Sequence, residues 1–280
     1  MSLSLRSGAQ EGEGPALLVH GGAWDIPDDA LDAHHDGLCQ ALDRGREALR
    51  NGAEAVDVVT SVVATLEAYG AFDAGRGAML NQDGEAELDA GVMDGASLAY
   101  GAVMATKRLA QPVAVARRLL DAGEGRVRML AGAGAERFAE AQGFDLVDNE
   151  TLICDRERRR YEQIRQSVDP DHPSASFLPG APDGSVPPDS PGADTVGCVA
   201  RDRNGTLAAA TSTGGTPFKP PGRVGDSPVP GAGFYATSAG AAGATGWGEA
   251  IAAVVLSSRA VLSLDGSVHP ETIARDRLAH

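Results

Sequence analysis

Apolar and polar residues follow two different periods along the chain. Apolar side chains recur every three to four positions over 30–50 and 53–68, which predicts two amphipathic helices. The Asn51-Gly52 pair between these segments is typical of a helix end and a turn. Further helices are predicted over 112–120, 136–142 and 155–166. We expect these helices to lie against a sheet.

The remaining apolar segments have the length and alternation of strands. Residues 16–19 form a short apolar run that stops at a glycine loop, His20-Gly21-Gly22, which predicts a buried strand. Residues 86–95 and 98–106 alternate around a turn. Residues 195–213 contain Asn204-Gly205, the strongest short signal for a hairpin.

A tract rich in Pro, Ser, Gly and Asp separates the helical part from this hairpin. It covers 167–194, cannot form a core, and is longer than an ordinary connection. We interpret it as a flexible linker or a processed segment. The strand that follows begins abruptly at Thr195.

Composition and charge narrow the function classes. The 280 residues suit one large domain or two small ones, and we expect a single domain over 1–280. With 24 Lys and Arg against 39 Asp and Glu, the net charge is −15, which argues against a nucleic-acid partner. Neither an apolar run long enough for a membrane span nor a secretory signal is visible, so we expect no membrane partner and a cytoplasmic location.

Cysteine and histidine positions do not indicate a metal site or a disulfide framework. Cys39, Cys154 and Cys198 are odd in number and far apart, so buried free thiols are expected. The adjacent His34 and His35 point apart on a helix and are expected to be exposed to solvent. The charged run RERRR at 156–160 is expected to form a solvated helix face.

Thr195 raises a chemical possibility of its own. If cleavage made it an N-terminus, its α-amine, with a pKa of about 8, could take the hydroxyl proton while Oγ attacks a carbonyl. A threonine at the start of a strand is also common without any such role.

Arg223 and Asp226 could bind the α-carboxylate and α-ammonium of an amino-acid head group, or could form only a local salt bridge.

Six segments together resemble one family. They are HGGAW, FDAGRGAMLN, ELDAGVMDG, DTVGCVARDRNGTLAAATSTGG, PGRVGDSPVPGAGFYA and ATGWGE, and the likeness runs from about residue 16 to the C-terminus. The chain resembles the plant-type asparaginases and isoaspartyl peptidases, N-terminal nucleophile (Ntn) hydrolases related to glycosylasparaginase. The resemblance implies the α+β class with a four-layer αββα sandwich, the Ntn-hydrolase fold. It also implies autocatalytic cleavage between Asp194 and Thr195 into an α chain, 1–194, and a β chain, 195–280.

The resemblance also implies a role for each matching residue. Thr195 would be nucleophile and general base, Thr213 would form hydrogen bonds near it, and Thr211 would support the strand. Arg223 and Asp226 would hold the aspartyl head group. Thr245 and Gly246 would form the oxyanion hole, and Gly246 would also contact the substrate. The implied reaction passes through a β-aspartyl ester and releases L-aspartate from L-asparagine or a β-aspartyl peptide.

Cofactor and partner expectations follow from the same resemblance. No cofactor is expected for catalysis, whereas a structural sodium ion would be held by backbone carbonyls of the loop 66–76. The matching residues are Leu66, Glu67, Phe72, Ala74 and Arg76. Gly21 and Gly22 match a glycine loop near the site. The expected partners are a small-molecule or dipeptide substrate and a second αβ unit, giving a homodimer.

The chain departs from the family at two points. Asp73 stands where the family usually has Asn, which could alter the charge beside the nucleophile, and relatives continue for some tens of residues beyond the matching C-terminal helix. An inactive or truncated member that serves as an interaction module, or a glycosylasparaginase, is therefore an alternative. A dinucleotide enzyme is disfavoured because Gly132-Ala133-Gly134 lacks the third glycine of that fingerprint. A serine hydrolase is disfavoured because residues 95–99 break the G-x-S-x-G pattern.

Overall fold

The computed structural model describes residues 14–23, 26–167, 194–264 and 272–273. The predicted helices and strands are present in the predicted order within these ranges, together with three short strands and two short helices that were not predicted. The strands are β1 (Ala16–His20), β2 (Leu88–Asp94), β3 (Tyr100–Thr106), β4 (Met129–Ala131), β5 (Asp194–Arg201), β6 (Leu207–Gly215), β7 (Phe234–Ala236) and β8 (Ala241–Gly243). The α-helices are α1 (Leu31–Arg50), α2 (Ala55–Tyr69), α3 (Pro112–Ala122), α4 (Gly132–Ala141), α5 (Asp155–Ser167), α6 (Gly248–Val254) and α7 (Leu256–Leu262). Short 3-10 helices cover Asp28–Ala30 and Asn149–Leu152.

The strands form two sheets. The large sheet has the order β1-β5-β6-β2-β3-β4 and is antiparallel except for the β3–β4 pair. β7 and β8 form a small antiparallel sheet. The hairpin predicted at Asn204-Gly205 is confirmed, since β5 and β6 pair through it with Arg201 opposite Leu207.

The two faces of the large sheet carry different layers. Because side chains alternate along a strand, Ala90 and Val196 face one side and pack into the apolar cluster that includes Val62 of α2. Gly91 and Thr211, which pair across β2 and β6, face the opposite side, toward β7 and β8. α7 covers the outer face of the small sheet. The order helices, sheet, sheet, helices confirms the α+β class and the four-layer αββα sandwich.

Close contact between the two sheets requires a glycine at one position of β2. A Cβ at Gly91 would lie 2.1 Å from the Phe234 ring, so glycine lets the ring pack on the β2 backbone. Phe234 is fully buried with Met93, Ala209 and Ala236 in the cluster between the sheets. This packing sets the separation of the two sheets at the gap that holds the site.

Three expectations about burial were wrong. The strand 16–19 is present as β1, but it is the edge of the sheet and Leu18 is 62% exposed, because the small sheet does not extend over it. His34 is buried, since its Nδ1 donates to the Ala30 carbonyl at 2.9 Å and its ring packs edge-on against Phe72. Of the three thiols, only that of Cys198 is buried.

The RERRR run is not a uniformly solvated face. Glu157 is 2% exposed and pairs with Arg156, whose guanidinium also donates to the carbonyls of Ala71 and Gly77 at 2.8 and 3.1 Å. α5 is therefore fastened through Arg156 to the loop that follows α2. The linker predicted at 167–194 lies outside the described residues, except for Ser167 at the end of α5 and Asp194 at the start of β5.

None of the helices in the described ranges is both long and apolar enough to span a bilayer.

Candidate active site

Thr195 is the second residue of β5 and faces the gap between the two sheets. Its side chain is buried, and Oγ1 lies 3.0 Å from Oγ of Ser227. The register between β5 and β6 shifts between Asp194 and Val196, so the strand is irregular at Thr195 itself. Such irregularities re-aim a side chain, and here the hydroxyl lies in a small pocket.

The pocket beside Thr195 gathers several residues predicted from the sequence. The pocket is small and partly open to solvent. Its lining residues are Thr195, Thr213, Gly215, Arg223, Gly225, Asp226, Ser227, Gly246 and Gly248. The segments around 195, 213, 223–227 and 246 are separate in sequence, and only the fold brings them together.

Thr211 and Ser227 form a support for the Thr195 hydroxyl. The Thr211 hydroxyl donates to the backbone carbonyl of Ser227 at 2.7 Å, and the Ser227 hydroxyl contacts Thr195. Thr211 does not line the pocket; it fixes the residue that does. Ser227 was missed by sequence reasoning, although it lies within the GRVGDSP segment.

Asp73 contacts Thr213, is 3% exposed and is absent from the pocket lining. Its Oδ1 accepts the backbone N–H groups of Met79 and Gly214 at 2.7 and 3.1 Å, and its Oδ2 accepts the Thr213 hydroxyl at 3.4 Å. Thr213 Oγ1 in turn accepts the N–H of Gly215 at 2.9 Å. Both side-chain oxygens of Asp73 accept hydrogen bonds, and a carboxylate can accept at both.

Arg223 and Asp226 do not form the local salt bridge that was one alternative. Arg223 is paired with Glu249 instead, through Nε to Oε1 at 2.9 Å and Nη2 to Oε2 at 2.8 Å. Asp226 is 4% exposed, and its Oδ2 has no hydrogen-bond partner within the described ranges. Burial raises the pKa of Asp226 to about 7, against the opposing charge of Arg223. A buried carboxyl group with one unpartnered oxygen suits a cationic ligand.

Thr245 and Gly246 lie directly before α6. Thr245 Oγ1 is buried and has no hydrogen-bond partner in the part of the chain that the structure describes, whereas Gly246 lines the pocket with a φ of 141°. A buried hydroxyl without a partner is unfavourable, and a ligand atom could satisfy it.

A buried ion pair lies under the pocket and was not predicted. Lys219 and Asp89 are both fully buried, with Nζ 3.8 Å from Oδ2, and Lys219 Nζ donates to the Glu87 carbonyl at 2.8 Å. A Cβ on Gly215 would lie 3.1 Å from Nζ of Lys219 and 3.3 Å from Nη1 of Arg223. Lys219 and Arg223 therefore lie on either side of Gly215, which lines the pocket. Their positive charges favour an anionic ligand group beside Gly215.

Gly21 and Gly22 do not line the pocket. Gly21 packs on the Phe72 ring, since a Cβ there would lie 2.6 Å from Cε1, and Gly22 has a φ of 121°. The glycine loop thus contacts the residue that precedes Asp73.

The resemblance places a sodium ion in the loop after α2, held by backbone carbonyls. Gly75 and Gly77 have positive φ, and a Cβ at Gly75 would lie 2.6 Å from the Glu67 carbonyl, whereas one at Gly77 would lie 2.6 Å from the Gly70 carbonyl. Hard cations prefer such oxygen ligands. A sodium ion would be held by the carbonyls of Leu66, Glu67, Phe72, Ala74 and Arg76 and would stabilise the loop that carries Asp73. This site stays a prediction.

The four layers, with a buried threonine facing the gap between the sheets, define the fold of the N-terminal nucleophile hydrolases. Comparison with known proteins agrees. The asparaginase family matches residues 13–279. The isoaspartyl peptidase/L-asparaginase of Danio rerio is 38% identical over 267 residues, which are 95% of this chain and 81% of that protein. The proteins of the same name from Bos taurus and Homo sapiens are 37% and 38% identical, over 95% and 87% of this chain and 82% and 74% of their own length. The chain therefore belongs to the asparaginase family.

The buried Asp226 carboxyl group gives a prediction about stability. Because its pKa is higher in the folded state than the ordinary 3.8, Asp226 binds more protons in the folded chain, and its own contribution to stability falls as pH rises from 4 to 7. A pKa raised to about 7 corresponds to on the order of 4 kcal/mol. We expect the free energy of unfolding of Asp226→Asn to increase, relative to that of the chain with Asp226, as pH rises over this range.

Urea unfolding at several pH values measures this difference. Both chains carry Thr195→Ala, so that cleavage cannot differ between them. A difference in free energy of unfolding that stays constant from pH 4 to 7 would contradict the raised pKa.

Proposed function

We propose that the chain is a self-cleaving hydrolase of L-asparagine and β-aspartyl peptides that uses Thr195 as its nucleophile. The observation that carries this proposal is the meeting, in one pocket, of the Thr195 hydroxyl with Arg223, Asp226 and Gly246. The relatives' shared name, isoaspartyl peptidase/L-asparaginase, supports the same substrates.

The pocket suits the head group of an aspartyl substrate. Arg223 would bind the α-carboxylate, and Asp226, once ionised, would bind the α-ammonium. Both groups are at most 11% exposed, so the contacts form in a site of low dielectric, where they are strong. The side-chain amide of the substrate is then held toward Thr195.

Bond breaking would follow double displacement. Cleavage of the Asp194–Thr195 peptide bond would expose the Thr195 α-amine, which takes the proton from Oγ1 while Oγ1 attacks the β-carbonyl carbon. The C–N bond of the tetrahedral intermediate breaks, and ammonia or a peptide amine leaves with a proton from the threonine ammonium. Water then hydrolyses the β-aspartyl ester, with the amine again as base, and L-aspartate is released.

Charge on the tetrahedral oxygen would be stabilised by Thr245 and Gly246. The buried, unpartnered Thr245 hydroxyl supports this role, because it could donate a hydrogen bond to an oxyanion. Removing one such donor typically costs about 10² to 10³ in kcat. Ser227, fixed by Thr211, would keep the Thr195 hydroxyl aligned for attack.

Substrate hydrolysis tests the proposal. The purified chain is incubated with L-asparagine, a β-aspartyl dipeptide and a glycosyl-asparagine, and release of aspartate or sugar is followed. We expect turnover of one or both of the first two, and a loss of at least about 10³-fold in Thr195→Ala.

Two results would contradict this function. Equal activity in Thr195→Ala would exclude Thr195 as nucleophile. No turnover of asparagine or the dipeptide by the cleaved chain would favour the interaction module, whereas sugar release alone would favour a glycosylasparaginase.

Asp73 gives a prediction about the pH profile. Asparagine at this position could keep the hydrogen bonds from Met79 and Gly214 through Oδ1, but its amide would donate to Thr213 and the negative charge would be lost. A nearby negative charge favours the protonated amine of Thr195. We therefore expect Asp73→Asn to move the acid limb of kcat/KM for L-asparagine to lower pH.

The matched control is Asp57→Asn, which removes an exposed carboxylate paired with Arg117 outside the pocket. Profiles of kcat/KM against pH are compared for the three chains. A limb that stays in place, or moves to higher pH, in Asp73→Asn would refute the charge effect.

A further inference from the structure

Glu249 holds one edge of the Arg223 guanidinium. Nε and Nη2 donate to its two carboxylate oxygens at 2.9 and 2.8 Å, a bidentate pairing. The Arg223 side chain is 11% exposed and that of Glu249 43%, so the pair extends from the buried pocket to the surface. Paired N–H to carboxylate bonds of this kind fix orientation as well as adding energy.

The other edge of the guanidinium is directed at the pocket. Nη1 would lie 3.3 Å from a Cβ on Gly215 and 2.9 Å from one on Gly225, and both glycines line the pocket. Glu249 is absent from that lining. Nη2, which bonds Glu249, would also lie 3.0 Å from a Cβ on Gly248, another lining residue. Neither hydrogen bond to Glu249 uses Nη1, so a ligand beside Gly215 and Gly225 can contact Nη1 while Glu249 stays bound.

Glu249 also lies close in sequence to the proposed oxyanion residues. It is the second residue of α6 and follows Gly246 by three positions. Its contact with Arg223 spans 26 residues and fastens the start of α6 to the loop that carries the head-group ligands. The segment 245–249 thus has a fixed position relative to Arg223.

We propose that Glu249 is a positioning residue that determines specificity for the substrate α-carboxylate by holding Arg223 with Nη1 toward the pocket. This inference rests on the proposed function and adds the group that makes the carboxylate recognition selective. Without Glu249, Arg223 can rotate, and its attraction for a carboxylate is no longer directed at the place where the α-carboxylate binds.

A carboxylate beside Arg223 could instead act as a competitor for the substrate. In that case its removal would free the guanidinium and lower KM. The positioning role predicts a higher KM for asparagine when Glu249 is removed, so the change in KM distinguishes the two roles.

The test compares L-asparagine with L-asparaginamide, which keeps the α-ammonium and the scissile amide but has no α-carboxylate. Ammonia release gives kcat and KM for both substrates. For Glu249→Ala we expect the preference for asparagine over the amide to fall about 10-fold, mostly through a higher KM for asparagine. Glu249→Gln keeps the size and one acceptor, so its preference is expected to be intermediate, and it serves for the comparison if Glu249→Ala does not fold or mature.

Glu162→Ala is the matched control. Glu162 also accepts two hydrogen bonds from one arginine, Arg165, at 3.1 and 2.7 Å, but this pair lies on α5 and lines no part of the pocket. We expect its substrate preference to equal that of the wild-type chain.

The outcomes separate the inference from the function on which it rests. Equal losses for both substrates in the Glu249 variants, or a lower KM for asparagine, would overturn the positioning role while leaving the hydrolase intact. A wild-type chain that turns over neither substrate would overturn the proposed function, and this inference with it.

Discussion

The contact between the hydroxyls of Thr195 and Ser227, 3.0 Å apart in the gap between the sheets, is the interaction on which the site depends. It requires β5 to bring Thr195 to the gap and Thr211 to hold Ser227 by its carbonyl. It also requires the two sheets to stay close, which Gly91 permits by leaving room for Phe234. A change in any of these layers would move the hydroxyl relative to the groups that we propose bind the substrate.

Burial of charge is the second constraint on this pocket. Asp226 is buried with an unpartnered oxygen and a raised pKa, and Lys219 and Asp89 form a fully buried pair beneath Gly215. Such arrangements destabilise a protein when nothing binds them, because each ion loses its hydration. A zwitterionic head group would bring an ammonium to the unpartnered oxygen of Asp226 and a carboxylate to the side of Arg223 that does not bond Glu249. The proposed binding preference thus rests on groups that the fold keeps out of water.

Much of this organisation was predictable from local patterns. Helical periodicity identified α1 and α2, and Asn204-Gly205 identified the β5–β6 hairpin. The abrupt strand start only pointed to Thr195, and its role as nucleophile came from the family resemblance and stays a proposal. The rest depends on contacts distant in sequence, which no local pattern contains. Ser227 meets Thr195 across 32 positions and Glu249 meets Arg223 across 26, although both lie inside recognisable segments. His34 was misjudged because the aromatic ring that buries it, Phe72, comes from a later loop.

The central claim is that Thr195 becomes an N-terminus through the chain's own chemistry, and the intact mass of the protein tests it most directly. The mass is measured under denaturing conditions, on fresh protein and after several days at neutral pH, with Thr195→Ala as the uncut control. We predict two species whose masses sum to the whole chain plus one water, the smaller beginning at Thr195. A single species of 28.6 kDa that persists in both samples would contradict the account.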